Sequence, residues 1–464
     1  MTAVASFTAL CLLLVCGKAI RTALPFLRRL CLPSSIVGGA LGLLVLSTCG
    51  TCVPDAWHSG WKSLPGFLIN IVFAAMFIGQ KFPSMGKTGR SVMEQLCFGQ
   101  IMAWGMYAVG LSVTVLFLTP VFGVPPVFGN LIEIGFEGGH GTVGGMVETF
   151  DAFGWSAGAD LGYTTATIGM VLGITVGMTL VNWAVRKGHV KNIRTFDELG
   201  EAERRGFYPK NAQPPAGRQT VLSDSIDSLA WHLAVVGIAV LAGYGLKTLL
   251  VHAGALLPES VRQMKIVESI PLFPLCMVGG LIIQGLLVLC RLDALVDRGQ
   301  INRIGGASLD FLVVAAVATI RFDFIAQYWQ PLLILVAVGL GWSLFGACWL
   351  SRRIFREDWF ERSICEFGQY TGVTATGLLL LRTVDPESKT SASTVFGCKQ
   401  LLHEPIMGGG VWTAMAVPLV FRIGPWPVIW ISLAAVAVWC GVWAILNRRT
   451  YGIIFPKTFS HDLK

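Results

Sequence analysis

The chain has 464 residues, of which 54% are hydrophobic and only 13% charged, and its mean hydropathy is +0.65. Soluble domains are about 45 to 50% apolar, so this composition excludes a soluble enzyme. The formal net charge of +8 is divided among short loops and not gathered on one face, which excludes a basic nucleic-acid-binding domain.

Apolar runs recur along the chain, each close to the roughly 20 residues that a helix needs to cross a hydrocarbon core. The first run is followed, not preceded, by basic residues, beginning with Lys18 and Arg21. It is therefore predicted to be a membrane helix and not a secretory signal. The sequence predicts an all-α polytopic membrane protein with spanning helices near residues 3–20, 31–48, 65–80, 93–118, 161–186, 228–252, 269–290, 302–320, 331–350, 395–421 and 425–446.

Two segments, near 126–150 and 362–384, contain no uninterrupted apolar run of spanning length. Both are rich in glycine and carry Glu together with His or Thr. Interrupted backbone at membrane depth is tolerated only where it is buried in protein or lines a watery cavity. We therefore predict that each segment is a re-entrant hairpin beside a transport pathway.

A long polar stretch at residues 187–225 separates the two hydrophobic halves, and its many Lys and Arg residues indicate a cytoplasmic linker. Tracing the crossings outward from it places the N-terminus outside and the C-terminus in the cytoplasm. The predicted location is the cell (inner or plasma) membrane.

Cysteine usage gives no sign of a metal centre. The 12 cysteines lie mostly in apolar runs, where a thiol behaves as a small hydrophobe, and no two CxxC motifs pair up as a zinc site would require. Cys49 and Cys52 form one CxxC in a predicted outer loop, where a disulfide and two reduced thiols both remain open. No cofactor is predicted.

A motif repeat relates the two halves. Pro33 followed by Val37-Gly38-Gly39 recurs 241 residues later as Pro274 followed by Val278-Gly279-Gly280. Each unit then contains five crossings plus one hairpin, and because five is odd the second unit must enter the membrane from the opposite side. Such inverted repeats are typical of secondary transporters. The predicted organisation is an N-terminal membrane repeat (1–186), a cytoplasmic linker (187–227), a C-terminal membrane repeat (228–421), and an extra transmembrane helix with a cytoplasmic tail (422–464).

The first predicted hairpin carries the run Gly138-Gly139-His140-Gly141-Thr142. Glycine lets the backbone turn sharply, and helix N-termini present partial positive charge to an anion. These five residues are candidate substrate ligands. Close helix packing is the alternative for glycines, and a fixed hydrogen bond is the alternative for His140, which could otherwise couple protons.

In the second predicted hairpin, hydroxyl groups replace some of the glycines. Threonine hydroxyls can bind a carboxylate or coordinate sodium, but a threonine in a membrane helix also bonds its own preceding turn, and both interpretations remain open. The candidate substrate ligands are Gly368, Gln369, Thr371, Gly372, Thr374 and Thr376.

Three carboxylates, Glu137, Asp310 and Glu366, are candidate ion-coupling groups. Asp310 lies in an apolar predicted helix, where a carboxylate costs at least ~2.5 kcal/mol unless it faces protein, water or a cation. It could bind sodium, carry a proton, or pair with a helix backbone or a lysine. Glu133, Glu137 and Glu148 place negative charge in the hairpin expected to hold an anion, which requires bound cations, an outward orientation of some of them, or a substrate that is not anionic. Glu137 and Glu366 are therefore the most informative positions.

At the Gly138-Gly139-His140-Gly141-Thr142 run, the 33–39 helix entry and the Ser308-Leu309 step, the chain resembles the glutamate:sodium symporter family. The resemblance implies an inverted-repeat secondary transporter, usually a homodimer, whose hairpin tips enclose a dicarboxylic amino acid and coupling sodium. In the second hairpin Gly368, Gly372 and Thr374 match the family pattern. Five residues depart from it, namely Cys365, Glu366, Gln369, Tyr370 and Ala375.

The predicted function is secondary active transport, not enzymatic catalysis: sodium-coupled symport of glutamate or a related small carboxylate by alternating access across a lipid bilayer. No nucleic-acid partner is predicted. A proton-coupled carrier of another carboxylate or amino acid, and a passive channel or facilitator, are the alternatives. An intramembrane enzyme is disfavoured because the sequence contains no recognisable metal spacing or nucleophile–base pair.

Overall fold

The computed structural model describes residues 2–29, 32–49, 54–80, 89–190, 207–210, 212–254, 256, 270–385 and 389–451. All regular secondary structure within these ranges is helical. Eight of the described helices are long and apolar enough to cross a membrane: Val4–Ala23, Gly89–Phe122, Ala157–Arg186, Ser228–Gly254, Leu272–Leu289, Arg298–Ala318, Asp323–Ile354 and Pro425–Asn447. The predicted class, an all-α multi-pass membrane protein, is confirmed.

The described part of the N-terminal half contains seven main helices. They are α1 (Thr2–Ala23), α2 (Ser34–Cys49), α3 (Asp55–Ala75), α4 (Gly89–Val113), α5 (Leu131–Phe136), α6 (Gly139–Ala152) and α7 (Ala157–Arg186). Four shorter helical pieces join them: Pro25–Arg29, the π-helical turn Thr114–Leu118, Thr119–Phe122 and the 3₁₀ turn Pro126–Asn130.

The described part of the C-terminal half contains eight helices. They are α8 (Ser228–Gly254), α9 (Leu272–Leu289), α10 (Arg298–Ala318), α11 (Phe322–Phe345), α12 (Trp359–Val384), α13 (Ala392–His403), α14 (Val411–Ile423) and α15 (Pro425–Tyr451). A 3₁₀ turn, Asp293–Leu295, precedes α10, and α11 continues through the π-helical turn Gly346–Leu350 into Ser351–Ile354.

The prediction of a continuous helix at 395–421 is wrong. The helix α13 ends at His403, α14 begins at Val411, and residues 404–410 between them are not helical. Pro405 has no N–H to donate to a helical turn. Gly408 and Gly409 have φ of +65° and +109°, which glycine adopts without a Cβ penalty. This crossing is therefore made of two half-helices joined inside the bundle.

Two other helices begin earlier than predicted. The helix α3 starts at Asp55 instead of 65, and α11 starts at Phe322 instead of 331. In each case a proline, Pro65 or Pro331, lies inside the helix at the predicted start. Proline is favoured in the first helical turn, so the sequence pattern suggests that each helix starts there. Proline is also tolerated in the interior of a membrane helix, because neighbouring groups can satisfy the backbone carbonyl that it leaves without a donor.

The helices pack in two groups. Group one contains α1, α2, α3, α8, α9 and α10, and group two contains α4 to α7 and α11 to α15. The helix α6 packs on α3 and α10 and supplies much of the contact between the groups.

The first interrupted segment, 126–152, breaks between α5 and α6, where Gly139 has φ of +66°. The second, α12, breaks at Gly372 and Val373, whose φ values are −156° and +66°. The arms of α12 pack directly on each other, because a Cβ on Gly368 would lie 2.6 Å from the Cα of Gly377. Each break thus lies at a tip between two helical arms.

The helix α7 runs past both interrupted segments and shows how they are oriented. Near its start Gly158 packs on Phe150, close to the end of the first segment. Near its end Gly177 packs on Leu380, close to the end of the second. The two segments therefore open toward opposite ends of α7.

The tips meet at the middle of α7. Gly169 packs on both Phe136 of the first segment and the Thr371 carbonyl of the second. The side chain of Val373 occupies the space into which a Cβ on Gly139 would project. The two breaks are consequently brought to one place in the bundle interior, and Gly408 of the 404–410 interruption packs on Glu137 there.

Candidate functional site

A buried network of polar side chains surrounds the point where the tips meet. Helices α4, α5, α12, α13 and α14 and the 404–410 interruption all contribute to it. We call it the central cluster: Tyr107, Glu133, Glu137, Glu366, Gln369, Thr374, Lys399, Gln400, His403, Glu404 and Thr413.

Glu133 on α5 has hydrogen-bond donors on both carboxylate oxygens. The Tyr107 hydroxyl donates to Oε2. The Thr413 hydroxyl and the Gly408 backbone N–H donate to Oε1, at 2.8 Å and 3.1 Å. Because these donors come from α4, α14 and the 404–410 interruption, Glu133 connects the first segment to all three.

Glu137, at the tip of the first segment, is satisfied on one oxygen only. Its Oε1 accepts hydrogen bonds from His403 Nε2 at 2.5 Å and from Gln369 Nε2 at 3.0 Å. Its Oε2 is buried and has no hydrogen-bond partner among the described residues. A buried carboxylate oxygen without a donor is costly, so this atom is the place in the cluster best suited to take a proton or a cation.

The hydrogen bonds of His403 determine which ring nitrogen carries its proton. Trp104 Nε1 can only donate, and it lies 2.9 Å from Gln100 Oε1. The Gln100 amide nitrogen therefore faces His403 Nδ1, at 3.1 Å, and Nδ1 must accept. The proton is then on Nε2 of a neutral imidazole, which donates to Glu137.

Lys399 on α13 is fully buried and lies among oxygen atoms. Its Nζ is 3.1 Å from Glu366 Oε2, 3.1 Å from Gln369 Oε1, 3.0 Å from Gln400 Oε1 and 3.4 Å from the Tyr370 hydroxyl. The ion pair with Glu366 has no exposed surface on either side chain. Lys399 thus connects α13 to the first arm of α12.

Glu404 opens the 404–410 interruption beside the second arm of α12. Its Oε1 accepts hydrogen bonds from Gln400 Nε2 at 2.9 Å and from the Thr374 hydroxyl at 3.0 Å. The Gln400 amide also donates to Thr374 Oγ1, at 2.6 Å. These bonds join the α12 tip to the break in the neighbouring crossing.

Carboxyl groups outnumber cations in the central cluster. Its residues include four carboxyl groups and one lysine, while His403 is neutral. Charges buried at membrane depth need partners, because desolvating an uncompensated charge is costly. The cluster can therefore bind cations or protons in addition to the ammonium group that it already contains.

Helix N-termini also point to this place. The helix α6 begins at Gly139, and the second arm of α12 begins at 374, so both arms start where the tips meet. The first-turn N–H groups of a helix lack intrahelical acceptors and carry partial positive charge. Such groups suit a small carboxylate.

The structure brings part of the predicted set together. Glu137, Glu366, Gln369 and Thr374 belong to the central cluster. At its edge, Thr142 Oγ1 lies 3.5 Å from the Gly408 carbonyl oxygen. Gly139 and Gly372 form the two breaks.

Other predicted ligands are occupied elsewhere. Thr371 and Thr376 donate to their own preceding turns, at Phe367 and Gly372. His140 contacts the Thr167 hydroxyl at 2.9 Å and stacks on Tyr163. Gly138 packs on Thr142, Gly141 packs on Ile69, and Gly368 packs on Gly377.

Asp310 lies outside the central cluster. It is exposed on α10, in group one, and its carboxyl group lies near the Ser35 side chain of α2. The structure therefore separates it from Glu137 and Glu366, with which it was grouped as an ion-coupling candidate. The CxxC motif lies outside the described residues, apart from the Cys49 backbone.

Sequence reasoning missed the contribution of α13. Lys399 and His403 are spaced by one helical turn, and Glu404 follows directly, all inside a segment predicted to be an ordinary span. Ionisable residues in a membrane helix are themselves a signal of a functional site. The flanking Pro405 and Gly408 marked the break.

The chain is similar in sequence to known membrane transporters. The family model for sodium/glutamate symporters matches residues 1–359. Sodium/glutamate symporters of Escherichia coli (strain K12) and Shigella flexneri are each 22% identical over 394 residues, covering 82% of this chain and 88% of the relative. No solved structure matches the chain significantly. The family match ends where α12 begins, so Glu366, Lys399 and His403 lie beyond it.

Proposed function

The chain belongs to the sodium/glutamate symporter family, and on this premise we propose that it carries glutamate or a related small carboxylate together with sodium by alternating access. Family membership makes it a transporter and not an enzyme. The observation that carries the proposal is the meeting of two interrupted segments at a buried cluster that has more carboxylates than cations. Broken helices of this kind form the sites of secondary transporters.

Paired glycine contacts support the proposed inverted repeats. Gly38 packs on the α1 backbone and Gly279, its counterpart in the repeat motif, packs on the α8 backbone. Gly39 packs on α10, and its counterpart Gly280 packs on α3. Each repeat motif thus contacts the first helix of its own half and the third helix of the other. A homodimer in the cell membrane, with the N-terminus outside and the C-terminus cytoplasmic, completes the proposal.

In this proposal the tips bind the substrate carboxylate and Glu137 binds the coupling ion. The N-termini of α6 and of the second α12 arm supply the positive potential for the carboxylate. The unpartnered Oε2 of Glu137 supplies the negative charge for the ion. Binding of one favours binding of the other because opposite charges then lie side by side in a medium of low dielectric constant.

Movement of group two against group one is the proposed conformational step. The contact between the groups uses the glycine face of α6. A Cβ on Gly144 would lie 3.0 Å from the Pro65 side chain of α3, and a Cβ on Gly145 would overlap the Phe273 ring of α9. Small residues let helices approach closely, and at these two positions α6 has no side chain that must repack when the groups move.

Cross-linking that contact should stop transport reversibly. Phe273 Cγ lies 2.9 Å from the position of a Cβ on Gly145, close to the separation between Sγ and the opposite Cβ in a disulfide. The double variant Gly145→Cys/Phe273→Cys should lose uptake after oxidation and regain it after reduction. The reduced double variant, and Phe273→Cys alone oxidised in the same way, are the controls, because Gly145→Cys alone would overlap the Phe273 ring. Undiminished uptake by a fully cross-linked double variant would show that this contact does not move.

Uptake into proteoliposomes tests the function directly. A tenfold inward sodium gradient should support about tenfold accumulation of labelled glutamate, or of another carboxylate in a panel, per coupled sodium, because each 1.4 kcal/mol is a factor of ten. The same vesicles with equal sodium on both sides are the control. Accumulation driven by a pH gradient alone would favour the proton-coupled carrier. High flux without accumulation under any gradient would favour the passive facilitator.

A further inference from the structure

The surroundings of the Lys399 ammonium group resemble a cation site made of side-chain oxygens. Four oxygen atoms lie within 3.4 Å of Nζ, and they come from Glu366, Gln369, Tyr370 and Gln400. An amide oxygen, a hydroxyl and a carboxylate are also the groups that bind sodium. Here the cation belongs to the protein chain.

Both carboxylate oxygens of Glu366 have partners in this arrangement. Its Oε2 pairs with Lys399, and its Oε1 accepts a hydrogen bond from Gln95 Nε2 at 2.8 Å. Gln95 is itself held by Arg362, whose Nε donates to Gln95 Oε1 at 2.8 Å. Neither carboxylate oxygen of Glu366 resembles the unpartnered Oε2 of Glu137.

The aliphatic part of the Lys399 side chain is packed as closely as its ammonium group. A Cβ on Gly99 of α4 would lie 2.9 Å from Nζ and closer still to Cε, so α4 packs directly against the end of the side chain. The Tyr370 hydroxyl is fixed by donating to the Gly99 carbonyl at 2.8 Å. The ammonium group therefore cannot leave without repacking α4 and α12.

We propose that Lys399 is a tethered cation that permanently occupies the cation position of the second interrupted segment, so that Glu366 carries no transported ion. This inference rests on the proposed function and refines it: the exchangeable ion is assigned to Glu137, and Lys399 is a positioning residue that neutralises Glu366 and orients Gln369 toward Glu137. It departs from the sequence-based prediction that Glu366 couples ions.

Removal of the tethered cation should create a site for a free one. Lys399→Ala deletes three carbon atoms and the ammonium group, which together have the composition of n-propylammonium. We expect Lys399→Ala to lower the Tm of the purified protein by about 5 °C or more, because Glu366 is left buried without its partner. Added n-propylammonium should recover at least about half of that loss, with a saturable dose dependence.

Three comparisons make this rescue specific. Wild type should not respond to n-propylammonium, and Lys399→Ala should not respond to tetramethylammonium at the same concentration, because that ion has no N–H donors and is too wide. The double variant Lys399→Ala/Glu366→Gln should not respond to either ion, because the carboxylate is gone. Equal responses of the single and double variants, or no rescue of the single variant, would overturn the proposal.

A second pair of variants covers the case in which Lys399→Ala does not fold. Lys399→Met keeps the length of the side chain without its charge. Lys399→Met/Glu366→Gln should be more stable than Lys399→Met alone, since a neutral pair leaves no orphan charge. A double variant no more stable than the single variant would reject the ion-pair role. Because these measurements use thermal stability, their outcome does not depend on whether the protein transports glutamate.

Discussion

Glu137→Gln is expected to abolish ion-driven accumulation of substrate while the protein remains folded. The amide keeps an oxygen at the position where Oε1 accepts from His403 and Gln369. Its nitrogen, at the position of Oε2, can bind neither a proton nor a cation. Loss of a charged ligand worth about 2–3 kcal/mol lowers ion affinity by about 100-fold.

Two measurements on reconstituted protein check this expectation. Sodium-gradient-driven accumulation should fall to the equilibrium level, whereas exchange of labelled for unlabelled substrate across the membrane should persist, because exchange needs no net ion movement. If a proton is the coupling ion, the pH dependence of wild-type uptake should disappear in Glu137→Gln.

Asp310→Asn is the matched control, since it makes the same carboxylate-to-amide change in a membrane helix outside the central cluster. Asp310 lies in group one beside Ser35 and not in the central cluster. We expect this variant to accumulate substrate normally. Full accumulation by Glu137→Gln together with loss by Asp310→Asn would place the ion-coupling group on α10 and reject Glu137 as that group.

Gly139→Ala is expected to disrupt the contact between the tips and so to remove both substrate binding and uptake. Gly139 has φ of +66°, and an L-residue in this region costs about 1–2 kcal/mol. The added methyl group would also overlap Val373 Cγ1 on the opposite tip. Uptake and the rise in Tm on adding glutamate with sodium are the two measurements.

The chain supplies both a control and a rescue for this variant. Gly154 has φ of +73°, but nothing lies within 4 Å of the position of its Cβ, so Gly154→Ala tests the backbone penalty alone. In Gly139→Ala/Val373→Ala the overlapping Cγ1 is gone, and the nearest Val373 atom that remains is Cβ at 3.8 Å. Substrate binding should recover in part. Equal losses in Gly154→Ala and Gly139→Ala would show that contact between the tips is not needed.

Part of the site could be predicted because its signals are local. Glu137, Glu366, Gln369 and Thr374 lie in glycine-rich segments without a clean apolar run, and that pattern alone marked them as unsuited to face lipid. The structure places a break inside each of these segments. The same reasoning passed over Lys399, because residues 395–421 were assigned to one ordinary span in spite of the ionisable residues in it.

The partners within the site could not be predicted. His403 and Glu137 are separated by 266 residues, and no spacing rule pairs them. Asp310 and Glu137 are both carboxyl groups in predicted membrane segments, yet one lies near Ser35 of a neighbouring helix and the other has a buried oxygen without a hydrogen-bond donor. Only the packing of α10 against α2, and of the tips against α13, separates the two cases.

By itself the sequence determined that this protein is a multi-pass bundle of helices, because in a hydrocarbon core every backbone polar group must be satisfied within its own helix and composition shows which segments can do so. Tertiary structure decided which carboxylates are neutralised from within the protein and which one keeps an unpartnered oxygen. That outcome depends on contacts between helices far apart along the chain, because a difference of a few ångströms decides whether a carboxylate oxygen is ion-paired or has no partner.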